Sequence, residues 1–153
     1  IMEEHKDPTR LEHVQKKMRE GIILDRWIAY WHFRNYRIGF TYGSFDPLNP
    51  RCVEFLYQAV ESLKTLVVGL YSDAMIRKLT GKEPVMKQED RALMLGGLEC
   101  VDAVVILDEE DPKALIERVR PCRIAVKDDA QAAAVDSFKA EGVEIWRPDS
   151  QAE

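Results

Sequence analysis

The chain has 153 residues, of which 46% are hydrophobic and 32% charged, and a formal net charge of −5. This composition is typical of one globular domain, and the negative charge argues against a nucleic-acid partner, because phosphate backbones are bound by clustered Lys and Arg. No apolar run approaches the roughly 20 residues that span a bilayer. Three cysteines without metal-binding spacing predict reduced thiols and no metal site. We therefore expect a cytoplasmic protein with no membrane partner.

The first 35 residues differ from the rest. Residues 10–20 carry apolar side chains at helical spacing, and Gly21 predicts the end of that helix. A second helical stretch follows with one apolar stripe, formed by Leu24, Trp27, Ile28 and Trp31. We expect its tryptophans to pack against the main body or a partner subunit; the alternative is a platform for stacking bases. Residues 1–35 are thus predicted to be a helical extension of a domain at 36–153.

From Tyr36 onward, short apolar runs alternate with amphipathic stretches. The predicted strands are 38–42, 66–71, 103–107, 123–126 and 143–146. The predicted helices are near 52–63, 73–79, 88–99, 112–119 and 130–141. Strands buried on both faces and separated by helices predict an α/β fold: a Rossmann-like, parallel, five-stranded sheet with helices on both faces.

The loop after the first predicted strand is the candidate ligand site. In such sheets the ligand lies beyond the carboxyl ends of the strands, and the first strand ends at Tyr42. Gly43 permits close approach of a phosphate. The next helix begins near Arg51 and Cys52, where free N–H groups favour an anion. The residues therefore predict an anion or nucleotide site; the alternative is a tight turn in which Gly43 and Pro47 only reverse the chain.

The same loop carries a family resemblance. Residues 43–52, read as GSFDPLNPRC, resemble the G-x-F-D-x-x-H-x-G-H motif of the cytidylyltransferase-like nucleotidyltransferases. The runs 66–79 and 84–121 are similar to the family's second strand with its Ser-Asp helix and to its Pro-Val…Glu-x-Arg…Val-Asp core. Within the family the chain looks most like the heptose 1-phosphate adenylyltransferases, with glycerol-3-phosphate cytidylyltransferases and FAD synthetases as near alternatives.

The resemblance implies a reaction and its ligands. A phosphate oxygen of a sugar or polyol phosphate attacks the α-phosphorus of ATP or CTP, and pyrophosphate leaves. The family uses helix-terminus N–H groups, two histidines, a lysine and Mg²⁺ carried by the triphosphate. A homodimer or another protein partner is also in keeping with the resemblance.

Residue by residue, the resemblance is incomplete. The two motif histidines fall on Asn49 and Cys52 and the motif glycine on Arg51, which makes these three the degenerate catalytic positions. An amide can donate to phosphate, but a thiol is a weak donor. The expected nucleotide contacts are Tyr42, Gly43, Ser44, Phe45, Asp46, Lys127, Asp128 and Asp129. The expected acceptor contacts are Asp73 and Arg91.

Two of the nucleotide contacts are also departures. The family's Lys-Gly-Gly-Asp-Tyr loop reads KDDAQ at 127–131, so Asp128 and Asp129 bring negative charge toward a polyanion. The first hypothesis is therefore a nucleotidyltransferase homologue that has lost most activity and serves as a binding or assembly subunit. The second is an active enzyme with a rewired phosphate site. Two further alternatives are a reactive Cys52 thiol and a compensating His32 folded over the site.

Overall fold

The computed structural model describes residues 7–148, and these form one sheet with helices on both sides. In chain order the elements are α1 (Arg10–Gln15), α2 (Gly21–Phe33), β1 (Ile38–Gly43), α3 (Pro50–Ala59), β2 (Thr65–Tyr71), α4 (Asp73–Thr80), α5 (Gln88–Gly96), β3 (Ala103–Leu107), α6 (Lys113–Val119), β4 (Arg123–Ala125), α7 (Asp129–Val135), a 3₁₀ helix (Asp136–Glu141) and β5 (Glu144–Trp146). No helix within this range is long and apolar enough to cross a membrane.

The five strands are parallel and lie in the order β3-β2-β1-β4-β5. This confirms the predicted fold class. Every residue of β1 and β2 is buried, as expected for strands covered on both faces. The chain order reverses between β1 and β4, so a crevice opens beyond the carboxyl ends of these two strands. The loops that begin after Gly43 and Ala125 therefore meet at the switch point.

Two apolar cores lie on opposite faces of the sheet. One face packs β1 and β3 side chains against α2 and α6, with Leu24 and Ile116 among its buried members. The other packs β2 side chains against α3 and α5, with Leu56 and Leu95 among them. The second core lies beneath α3, so it fixes the helix whose N-terminus borders the switch point.

The N-terminal extension departs from its predicted form. The helix predicted over residues 10–20 ends at Gln15, and Gly21 opens α2 with a positive φ of 56° instead of closing a helix. Residues between them run beside β3: the Val104 N–H donates to the Lys17 carbonyl, and the Arg19 N–H donates to the Val104 carbonyl. The outer edge of β3 offers unpaired backbone groups, and pairing with them overrides the local helical periodicity.

Helix α2 packs on the sheet through only part of the predicted stripe. Leu24, Ile28 and Trp31 are buried in the core, whereas Trp27 is 39% exposed and lies to one side. The predicted packing against the main body is therefore correct for Trp31 and incomplete for Trp27. The extension shares the core of the domain that follows it.

Candidate functional site

The switch point is bordered by the end of β1, the N-terminus of α3 and the residue that follows β4. Gly43 ends β1, and a Cβ at this residue would lie 3.5 Å from the Lys127 ammonium nitrogen and 3.6 Å from the Phe45 ring. Phe45 adopts a positive φ of 46°, which turns the loop sharply. The predicted loop residues and Lys127 are thus close together.

Asp46 connects this loop to a distant segment. Its two carboxylate oxygens accept hydrogen bonds from the backbone N–H groups of Val85 and Met86, each at 2.8 Å. These two hydrogen bonds fix the orientation of the carboxylate, with one accepted N–H on each oxygen. The side chain expected to contact the nucleotide therefore holds the segment before α5 against the site.

Arg91 is the central polar residue beneath the site. Its guanidinium is fully buried and donates to the carbonyls of Ser44, Tyr71 and Met86 at 2.7–2.9 Å, and to the Asp73 carboxylate at 2.7 Å. These bonds tie the loop after β1 to the end of β2 and to α4. The sequence predicts an acceptor contact at Arg91, and in the structure its side chain has no exposed surface and donates to these protein groups.

Asp73 is fixed by two neighbours. Its carboxylate accepts from Arg91, and its backbone N–H donates to the side-chain oxygen of Gln88 at 2.9 Å. Burial alone would raise the pKa of the Asp73 carboxyl, but the hydrogen bonds and positive charges around it outweigh that effect and lower the pKa. The Asp73 side chain is 18% exposed, so it supports α4 while part of it faces solvent.

Asn49 and Cys52, which align with the two motif histidines, both make contacts within the protein. Asn49 is the N-cap of α3, and its side-chain oxygen accepts from the Cys52 N–H at 3.0 Å. This bond uses one of the free N–H groups that an anion at the helix N-terminus would need. Arg51 is exposed, whereas the half-buried Cys52 packs on the second core. Neither position supplies an imidazole.

Lys127 brings a positive charge into the switch point. Its ammonium nitrogen lies 3.9 Å from the centre of the Phe45 ring and 5.5 Å from that of Phe55, a geometry in which the aromatic faces attract the cation. Burial lowers the pKa of Lys127, and the neighbouring Cys52 and Asp128 oppose that shift. The lysine is therefore a partly desolvated cation beside the degenerate histidine position.

The two aspartates after Lys127 both have partners in the protein. The Asp128 carboxylate caps α7 by accepting from the Gln131 N–H at 2.8 Å. Asp129 forms an exposed ion pair with Arg147. Both remain at the carboxyl edge of the sheet, so they add negative charge beside the site even though neither carboxylate is free.

Tyr42 and Gln131 connect the two halves of the crevice. The Gln131 side chain accepts from the Lys127 N–H and donates to the Tyr42 carbonyl. Burial raises the pKa of the Tyr42 hydroxyl to about 12, with Tyr71 and Asp128 adding to the rise. Gln131 was missed in the sequence analysis; the available signal was its position in the first turn of a helix that follows a strand.

The alternative based on His32 is excluded by its position. Its imidazole Nε2 lies 3.0 Å from the Val119 carbonyl at the end of α6. Helix α6 runs back from the carboxyl edge of the sheet to the start of β4, so Val119 lies at the amino edge, opposite the switch point. His5 lies outside the described residues.

The fold is shared with solved structures of other proteins. A lipopolysaccharide core biosynthesis protein from Thermoplasma volcanium has a TM-score of 0.63 at 24% identity, over 73% of this chain and 95% of that one. A pantoate-beta-alanine ligase from Francisella tularensis has a TM-score of 0.59 at 12% identity, over 89% and 67% of the two chains. At these identities the likeness concerns the fold alone.

Proteins found by sequence comparison have higher identity to this chain than these two structures. Bifunctional protein HldE from Wolinella succinogenes is 48% identical over 108 residues, which cover 70% of this chain and 23% of that protein. HldE from Bradyrhizobium diazoefficiens is 42% identical over 111 residues, 72% of this chain and 22% of that protein. The chain thus spans about a quarter of the length of these relatives. A family model described as cytidylyltransferase-like matches residues 40–147, and the chain belongs to that cytidylyltransferase-like family.

Proposed function

We propose that this chain is a nucleotidyltransferase homologue that has lost most of its transfer activity and acts as a binding or assembly subunit. The reaction it derives from is transfer of a nucleotidyl group from ATP or CTP to a sugar or polyol phosphate, with release of pyrophosphate. The proposal rests on the resemblance of the motif, on the similarity to HldE and on the chemistry of the side chains at the switch point.

One observation carries the proposal. Two surviving motif residues are bonded to the protein itself: Asp46 accepts from two backbone N–H groups, and Arg91 donates to three carbonyls and a carboxylate. Of the residues expected to act on the phosphates, Lys127 is kept, whereas both motif histidines are replaced. At Asn49 the amide oxygen caps a helix, and at Cys52 a thiol replaces an imidazole. The residues that hold the loop in place are therefore kept, and the two histidines that would stabilise the reacting phosphorus are replaced.

The expected loss of transfer rate supports a binding role over slow catalysis. Removing one preorganised donor to developing charge costs on the order of 10²–10³ in rate. Two motif histidines are absent here, and Asp128 and Asp129 add repulsion toward a triphosphate. Losses at one site do not add simply, yet even a partial combination leaves a rate far below that of a working enzyme.

The residues present do not themselves form a magnesium site. Among residues 7–148 there is no group of three His, Cys, Asp or Glu side chains able to hold a metal ion. Mg²⁺ would supply charge neutralisation on the triphosphate of a bound nucleotide, and the chain would meet it only through that nucleotide.

Restoring the motif tests the proposal. We would compare the wild type with the Asn49→His, Arg51→Gly, Cys52→His triple variant and follow pyrophosphate release from ATP or CTP with a panel of sugar and polyol phosphates. The expected result is background release by the wild type and a gain of about 10² or more in the variant, the value of one restored donor. An Asn49→Ala, Arg51→Gly, Cys52→Ala variant is the matched control. Robust wild-type turnover would overturn the proposal.

A second candidate function is an active enzyme with a relocated cation. The observation in its favour is Lys127, whose ammonium lies beside Gly43 and Cys52 and could replace the lost second histidine. This candidate requires wild-type turnover that Lys127→Met or Arg51→Ala abolishes. It also requires ATP or CTP at millimolar concentration to raise the melting temperature. Absence of both effects excludes it.

A further inference from the structure

The outward surface of α2, here called the α2 face, is apolar like the inward one. Five of its side chains are exposed by 39–82%: Ile22, Ile23, Trp27, Tyr30 and Phe33. A helix that is apolar on both sides is typical of a protein interior. Large exposed apolar patches mark interaction sites. The α2 face lies outside the family match at residues 40–147.

Three arginines lie on or beside the α2 face, together with the exposed Glu20 at its N-cap. The Arg19 guanidinium lies 4.2 Å from the centre of the Trp27 ring, and that of Arg34 lies 5.9 Å from the centre of the Tyr30 ring. Arg26 lines a shallow groove with the same two aromatic residues. The one aspartate of α2, Asp25, is bonded to Arg118. Tryptophan, tyrosine and arginine are the residues enriched at the centres of protein interfaces.

A complementary surface lies on the other side of the sheet, and we call it the β3 groove. It has a volume of about 410 Å³ and is lined by α5, by Ile106 of β3, by Gln15 of α1, and by Met18 from the segment that pairs with β3. Leu93 and Ile106 are two of its apolar lining residues and are 40% and 39% exposed. Glu89 and Asp90 lie in the same groove. Its surface is therefore apolar with an acidic side.

We propose that the α2 face of one copy of this chain seats in the β3 groove of a second copy. The arginines of the α2 face meet Glu89 and Asp90, and its aromatic side chains meet Leu93 and Ile106. The apolar and acidic lining of the groove complements the aromatic and arginine side chains of the α2 face. The inference rests on the assembly half of the proposed function and is independent of nucleotide chemistry.

The geometry makes the contact head-to-tail. The α2 face and the β3 groove are different surfaces on opposite sides of one sheet. A contact between unlike surfaces leaves one of each unused at the ends, so it builds an open chain or a closed ring rather than stopping at a dimer. Pairing of two α2 faces would instead bring arginines together, which is unfavourable.

Light scattering after gel filtration tests the proposal. The wild-type mass is expected to rise with concentration beyond twice 17.6 kDa. Ile23→Asp in the α2 face and Leu93→Asp in the β3 groove are each expected to give monomers, because a buried charge at the contact weakens it about tenfold or more. Both residues are exposed by 40% or more, so circular dichroism and melting temperature are expected to be unchanged.

Mixing the two variants provides the decisive measurement. Each keeps one intact surface, so an equimolar mixture is expected to form a 1:1 dimer that grows no further.

If either aspartate variant unfolds, Arg26→Glu and Glu89→Arg replace them, and the double variant regains association. A wild type that stays monomeric, or a mixture that stays monomeric, overturns the proposal, as does a monomer that binds anionic phospholipid vesicles through Trp27. None of these results alters the pyrophosphate assay, so the two proposals fail separately.

Discussion

The Lys127 ammonium lies over the Phe45 ring, 3.9 Å from its centre. A positive charge at the switch point is thus held against an aromatic face with limited access to water. Burial of this kind disfavours the charged form, and the pKa of Lys127 is accordingly lowered. Burial of the charged Lys127 side chain therefore lowers the free energy of unfolding, although the same side chain is the one expected to contact a phosphate.

We predict that Lys127→Met raises the free energy of unfolding at pH 7 by about 0.5–2 kcal/mol, as stabilising substitutions at functional positions do. Between the lowered pKa of Lys127 and the ordinary lysine value, the unfolded chain binds more protons than the folded chain, so wild-type stability rises with pH in that window. The variant is expected to lack this contribution. Urea denaturation of both proteins at neutral and alkaline pH measures it; a destabilised variant would contradict the prediction.

Arg91→Ala is predicted to destabilise the fold by about 3–5 kcal/mol, because it leaves Asp73 and three carbonyls without their buried partner. Arg77→Ala is the matched control, since its ion pair with Glu83 is exposed on both sides and is worth about 1 kcal/mol or less. Chemical denaturation compares the two. Equal losses in both variants would show that Arg91 is not the structural centre of the site.

Asp46→Asn is predicted to loosen the segment before α5. An amide offers one acceptor oxygen in place of two, so one of the N–H groups of Val85 and Met86 loses its partner, at a cost of about 1–3 kcal/mol. Amide hydrogen exchange is expected to accelerate at these two residues. Asp90→Asn is the control in the exposed first turn of α5, and it is expected to leave their exchange rates unchanged.

Asn49→Ala is predicted to lower the free energy of unfolding by about 1 kcal/mol through loss of the N-cap of α3. Asn49→Asp keeps an acceptor and is expected to retain stability. Thermal unfolding of the three proteins separates a capping role from a binding role. If Asn49→Ala and Asn49→Asp have the same melting temperature, the N-cap hydrogen bond does not contribute to stability.

The sheet was predictable because its strands are short apolar runs buried on both faces, and each run lies within a residue or so of the observed strand. The extension was not predictable in detail: residues 17–19 have helical spacing, but the edge of β3 binds them, and that edge is distant in sequence. The roles of Asp46 and Arg91 were also hidden. A motif gives the type of residue, whereas the direction of its side chain depends on carbonyls and N–H groups from several elements.

The strap formed by residues 17–19 also governs how the chain can be shortened. Lys17 reaches the Leu98 carbonyl across 81 positions of sequence, and Arg19 reaches the Asp102 carbonyl across 83. A shorter version starting at residue 36 would uncover the rim of β3 and remove Leu24, Ile28 and Trp31 from the interior. An exposed edge strand has unpaired N–H and C=O groups that pair with other chains and cause aggregation. An expression product trimmed to the family-matched region is consequently expected to precipitate.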